Sequence, residues 1–186
     1  GLKFYPGYEP FYPYDSRLKV WFEMAIEFDI PVLFHSGDTY SPTAKIKYRL
    51  IYNASIFDAI AETGLQLYKF GKVASMPGWK KSYTPDSFMN IVKENNSINA
   101  HSLILVDIGL SFNDAMNQLK VSAKNHEIEL KKIVVCQAMG SKDRKIVYRK
   151  FDDMAGFEIN PPYCIIIPSK VHFVEKEVLD SFGKNK

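Results

Sequence analysis

With 186 residues, 46% of them hydrophobic and 24% charged, the chain carries apolar material for one globular domain or two small ones, which excludes an intrinsically disordered protein. A formal charge of +3, with scattered lysines and no basic stripe interleaved with aromatics, argues against nucleic acid as a partner. No apolar run approaches the roughly 18 residues that span a membrane, and no basic-then-apolar signal opens the chain, so a soluble protein without a membrane partner is expected.

In chain order, Gly1 to Phe4 reads as a short strand and Tyr5 to Tyr14 as a loop punctuated by proline and glycine. The chain begins in strand-like sequence without a methionine, which reads as a fragment edge. A helix follows, capped by Asp15 or Ser16, with Leu18, Trp21, Phe22, Ala25 and Ile26 at helical spacing. Pro31 to Phe34 then reads as a buried parallel strand ending at His35, so the first unit is a βαβ crossover. The character of the sequence changes after the basic, aromatic stretch Lys45 to Arg49, which divides the chain into 1–49 and 50–186.

The second part opens on a helix capped by Ser55, with Ile56, Ala59 and Ile60 on one face and Gly64 as its stop. Leu65 to Phe70 and Val73 to Met76 read as short strands, and Thr84-Pro-Asp begins a helix through Lys93, followed by a polar turn at Asn95 to Asn99. His101 to Ile108 is the clearest strand. Ser111 caps the next helix, which frays by Asn125. Lys132 to Gln137 reads as a strand, Arg144 to Arg149 as an edge strand and Phe151 to Ala155 as a helical turn. The proline-fenced run Pro161 to Pro168 is a buried strand that feeds a helix from Val174 to Phe182. Strands alternating with helices predict an α/β fold, with a mixed sheet and flanking helices, preceded by the βαβ unit. Cys136 and Cys164 fall inside apolar strands, read as small hydrophobes, and suit a reduced, cytoplasmic setting.

Four separated segments carry a family resemblance. Gly64-Leu-Gln-Leu-Tyr-Lys-Phe-Gly71, His101-Ser-Leu-Ile-Leu-Val-Asp-Ile108, Val134-Val-Cys-Gln-Ala-Met-Gly-Ser141 and the run from Pro161 to Phe173 stand in the order of the C-terminal part of diphthine synthase, over about 51–182. That family belongs to the tetrapyrrole-methylase-like methyltransferases. The resemblance implies S-adenosylmethionine as cofactor, the modified histidine of translation elongation factor 2 as acceptor in diphthamide biosynthesis, and a homodimer. By matching segments it implies cofactor contacts at Ser55, Ile56, Val106, Met139 and Tyr163.

The residues themselves make these positions reasonable. A cap serine offers a hydroxyl beside unpaired helix N–H groups, strand ends expose backbone donors and acceptors, and Gly140 permits close approach. Each also has a plain structural reading, as cap, core or packing. Methyl transfer is an in-line displacement that asks for alignment, so no catalytic residue is expected. His172 reads as structural or as cleft wall, while His101 and His126 show no partner in the sequence. The family's first domain, with its Gly-Asp-Pro loop, has no counterpart; His35-Ser-Gly-Asp38 runs into Thr39 instead of proline.

In place of that domain, Gly1 to Tyr8 and Ile30 to Ala44 resemble middle strands of a metal-dependent amidohydrolase barrel, which implies His35 as a metal ligand if that reading holds. Besides methyl transfer, the sequence thus leaves open a metal-dependent hydrolase fragment and a non-catalytic dimerisation or binding module. A chimeric join of two origins is the corresponding expectation for the chain's history.

Overall fold

The computed structural model describes residues 2–4, 15–34 and 55–183. Contacts divide the chain into two compact units, Gly1–Leu50 and Ile51–Lys186. In the first, strand β1 (Leu2–Phe4) pairs in parallel with β2 (Val32–Phe34), with Leu2 opposite Val32. Helix α1 (Lys19–Glu27) connects them, entered through a 3₁₀ turn at Ser16–Leu18. Asp15 caps that turn, and the Arg17 side chain grips its carboxylate at 2.6 Å. Leu18 and Ala25 are buried, but Trp21 and Ile26, which share the helix's apolar pattern, are exposed. His35 lies outside the described residues, as do Tyr5 to Tyr14.

The second unit is a five-stranded mixed sheet in the order β3-β4-β7-β5-β6. Its strands are β3 (Ala74–Met76), β4 (Ser102–Val106), β5 (Lys132–Gln137), β6 (Lys145–Lys150) and β7 (Tyr163–Ile167). Only β3 and β4 run in parallel; β7 is antiparallel to both β4 and β5, and β6 to β5. The run from Pro161 to Pro168 is thus central, because a strand covered on both faces needs apolar residues at every position. Ile165 and Ile166, adjacent in sequence, are both fully buried on opposite faces. Charge confines β6 to the edge, where Arg149 and Lys150 reach water.

One face is covered by α3 (Phe88–Ser97) and α4 (Phe112–Asn125), whose Phe88, Met89, Val92, Ala115 and Leu119 pack on Ile104, Ile133, Val135 and Ile165. The other is covered by α5 (Phe173–Phe182) and the segment led by α2 (Ile56–Ala59), which place Leu179 and Ile60 on Leu103, Val134, Cys136, Cys164 and Ile166. Ser55 caps α2 by accepting from the Phe57 N–H at 3.3 Å. After four residues the helix tightens into a 3₁₀ turn that ends at Gly64, whose φ of 77° is open to glycine and costly for other residues.

Three local expectations are corrected. Leu65 to Phe70 is not a strand: Leu67–Lys69 forms a 3₁₀ turn, and Phe70 makes only an isolated bridge to His101. Helix α3 begins later than Thr84, at Phe88, and runs through the stretch read as a polar turn, to Ser97. The reason is Asn95, which is buried with its amide bonded to the Lys72 N–H, the Lys72 carbonyl and the Ser102 hydroxyl. A polar side chain with three internal partners is a core residue despite its type.

Candidate functional site

The carboxyl ends of β4 and β5 and the amino end of β7 converge at one edge of the sheet, because Leu105 faces Cys164 and Gln137 faces Tyr163 across the ladders. Beside that edge stands the start of α2, and between them lies a concave pocket of about 310 Å³. Open α/β sheets take ligands at the carboxyl ends of their strands, and the volume falls at the low end of the range for small-molecule sites. The lining is Ser55, Ile56 and Ala59 from the helix, Leu105 and Val106 from β4, Cys136, Ala138 and Met139 from β5 and its exit, and Pro162, Tyr163 and Cys164 from β7.

Ser55, Ile56, Val106, Met139 and Tyr163, drawn from four separated segments, therefore meet at one cavity. They do not all contribute in the same way. The side chains of Leu105, Met139, Cys136 and Cys164 belong to the face that holds the pocket, whereas those of Val106 and Tyr163 pack into the opposite core, under α3 and α4. Strand alternation forces this, since neighbours on a strand point to opposite faces. Val106 and Tyr163 thus border the pocket with main chain.

The Tyr163 phenol donates to the Leu110 carbonyl at 3.0 Å and meets Phe112 edge to face, ring centroids 5.7 Å apart. Burial, reinforced by the charge of Asp114, pushes that phenol up to about 12, so it remains a neutral donor. Its work is to pin the loop that leaves β4. The Asp107 N–H donates to the Met76 carbonyl at 3.0 Å, and its carboxylate accepts from the Gly78 N–H at 3.1 Å, which fixes the same rim from the β3 side.

The exit from β5 is held as firmly. Ala138 adopts φ of 47°, the left-handed region that costs a residue with a Cβ about 1–2 kcal/mol. It is kept there by its N–H bonding the Pro162 carbonyl at 2.8 Å and its carbonyl accepting from Ser141 N–H at 3.1 Å. Gly140 follows with φ of 82°. Met139 is therefore presented by two consecutive reversals of the chain, the type of backbone strain that collects at ligand sites. The pocket wall is mostly apolar and rich in sulfur, and among the described residues no charged side chain lines it. Sequence reasoning did not single out Ala59, Leu105, Ala138 or Pro162, nor the two cysteines as pocket residues; only the register of β5 and β7, which no local pattern encodes, brings them in.

The histidines lie apart from this wall. His172 caps α5, accepting from the Val174 N–H while Glu175 accepts from the His172 N–H at 2.6 Å. His101 and His126 both have partners, contrary to expectation. His126 pairs with Asp86 at 3.3 Å. His101 is fully buried, accepts the Ser169 N–H at Nδ1 and so carries its proton on Nε2, which donates to Glu175 at 3.1 Å. Among the described residues no group of three His, Cys, Asp or Glu could hold a metal, and no helix is long and apolar enough to cross a membrane.

No family profile matches the chain. It is 39% identical over 151 residues to the diphthine synthase of Methanocaldococcus jannaschii, an alignment covering 73% of this chain and 58% of that protein. It is 32% identical over 168 residues to the diphthine methyl ester synthase of Schizosaccharomyces pombe, covering 76% and 59%. The chain thus spans under three-fifths of the length of these curated relatives. A crystal structure assigned to diphthine synthase from Entamoeba histolytica superposes with a TM-score of 0.67 at 25% identity, over 100% of this chain and 88% of that one. A second diphthine synthase structure gives 0.61 at 21% identity, over 91% and 73%. The likeness of the first segment to an amidohydrolase barrel finds no support in these matches, one of which runs the whole length of the chain. Over about three-quarters of its length the chain is a homologue of the diphthine synthases, and it carries their mixed α/β fold.

Proposed function

We propose that this chain is an S-adenosylmethionine-dependent methyltransferase of diphthine synthase type, acting on the modified histidine of translation elongation factor 2 in diphthamide biosynthesis. One observation carries the reading: Ser55, Ile56, Val106, Met139 and Tyr163, the positions implied as cofactor contacts, border a single pocket at the strand ends.

The residues suit the group. Ile56, Leu105 and Met139 offer an apolar slot for a planar base, and the main chain at Val106, Met139 and Tyr163 offers hydrogen-bonding edges beside it. The Ser55 hydroxyl suits a ribose or carboxylate oxygen. Among the described residues no lysine or arginine lines the wall, so none of these repels a sulfonium. When bound, S-adenosylmethionine supplies an electrophilic methyl group. The chain's own part is alignment: Tyr163 and Asp107 immobilise one rim and Ala138 the other, so that donor and acceptor are held in line. An acceptor carboxylate needs no base, which fits a wall that holds no aspartate or glutamate among the described residues.

Calorimetric titration of the purified chain with S-adenosylmethionine tests the reading. Saturable binding is expected, lost on Met139→Trp, which fills the slot, with the melting temperature retained. A folded chain that binds neither S-adenosylmethionine nor S-adenosylhomocysteine overturns the proposal. Methyl transfer to elongation factor 2 is the second arm. A cytoplasmic location, a homodimeric state and a join of two origins near residue 50 belong to the same proposal, and sedimentation reads the dimer directly.

A further inference from the structure

We infer that Cys136 and Cys164 together form a chelating dithiol site in the pocket wall, and that its ligands are soft, thiophilic electrophiles of the trivalent arsenical class. The two residues stand directly opposite each other on antiparallel β5 and β7. Opposed residues on such strands hold their Cβ atoms about 5 Å apart, which lets two thiols converge on one atom. Both residues line the cavity, and their side chains lie on the face of the sheet that holds it. Both are free, and they are the only cysteines of the chain.

The environment selects the type of electrophile. The hydrogen bond to Cys164, with burial behind it, pushes the Cys136 thiol well above its ordinary range. Reagents that need a standing thiolate, such as alkyl halides and peroxides, are thereby disfavoured. An arsenous group R–As(OH)₂ reacts instead by condensation: two As–O bonds break, two As–S bonds form, and the thiol protons leave with the hydroxides as two waters. Nothing is oxidised or reduced. The apolar wall of Ile56, Ala59 and Leu105 accommodates an aryl substituent on arsenic.

The dithiol stands whatever ligand the pocket takes; only its effect on cofactor binding rests on the methyltransferase reading. The probe is phenylarsine oxide, added to the folded chain and followed by intact-mass spectrometry and thermal melting. One phenylarsenic group per chain is expected, stable to excess glutathione and released by a dithiol, with a raised melting temperature, since the ligand is held by the native pairing. Cys136→Ser and Cys164→Ser should each weaken retention about a hundredfold or more, because one-point attachment loses the effective concentration of the second thiol.

Two outcomes overturn the site on the wild-type chain alone, whether or not the variants fold. One is no adduct until urea is added; the other is two separate adducts, both stripped by glutathione. With the adduct in place, S-adenosylmethionine binding is expected to vanish. An adduct on a chain that binds no cofactor before treatment defeats the methyltransferase reading and leaves the dithiol standing. Unchanged cofactor binding on the fully modified chain defeats the placement of the two in one pocket.

Discussion

Glu175 gathers four hydrogen bonds at one buried carboxylate of the second unit. Its side chain is 1% exposed, yet it accepts from the Gln66 and His172 N–H groups, from the Lys69 ammonium at 3.1 Å and from His101 Nε2 at 3.1 Å. Burial alone would raise its pKa, but those four donors outweigh it and bring the carboxyl down to about 2. Glu175→Gln keeps the shape but removes the charge on which all four donors converge. A loss of about 3 kcal/mol is expected, read from urea denaturation. The sign with pH follows from the same shift. A carboxyl depressed in the fold stabilises above its unfolded value near 4.5, and the stability is lost as pH falls through that window towards 2. His101 acts in the same direction at higher pH: burial first, against the pull of Glu175, lowers its pKa, so acid favours the unfolded chain below the ordinary 6.5. The melting temperature should therefore fall in two stages on acidification, and His101→Gln should remove the upper stage only. None of this was legible in the sequence, because the two partners are 74 residues apart and each alone looks like a strand opener or a helix-face acid.

At the level of elements, the buried strands were legible because each needs an unbroken apolar run, and β4, β5 and β7 supply one. The segment from Leu65 to Phe70, apolar but interrupted by Gln66 and Lys69, also reads as a strand and is a turn, since its Gln66 N–H and Lys69 ammonium are drawn to Glu175 of α5. A tertiary carboxylate outweighs strand propensity there. The seam between the α2 segment and α5 carries a second constraint, at Gly64. Its left-handed φ disfavours any Cβ, and a Cβ built there would overlap the Val178 side chain on α5. Gly64→Ala is expected to cost about 2 kcal/mol or more, part from the backbone and part from the overlap. Val178→Ala should relieve only the second part. A double-mutant cycle in urea that gives no coupling between the two positions would remove the steric half of the argument. The five pocket positions were legible only through a family resemblance. Periodicity alone places Val106 and Tyr163 as core, and their side chains are in fact core; it is their main chain that borders the cavity.

At the scale of the whole molecule, the described members of both hydrophobic clusters of the sheet lie between Ile56 and Phe182. Every strand of the five-stranded sheet lies beyond residue 55, and among the described residues so do the helices that cover it, while the pocket lining runs from Ser55 onward. Cooperative folding requires one closed core, and here that core is closed within a single stretch of about the usual length for an independent domain. The piece 51–186 expressed alone should therefore melt in one cooperative transition, within a few degrees of the whole chain, and should keep the pocket. If the methyltransferase reading holds, the piece and the whole chain should bind S-adenosylmethionine with dissociation constants within about threefold, roughly 0.6 kcal/mol. A piece that folds but has lost binding would place part of the ligand's contacts within residues 1–50. A piece that melts without cooperativity would mean that the sheet's own core is insufficient, and would argue against treating the two compact units as separately stable.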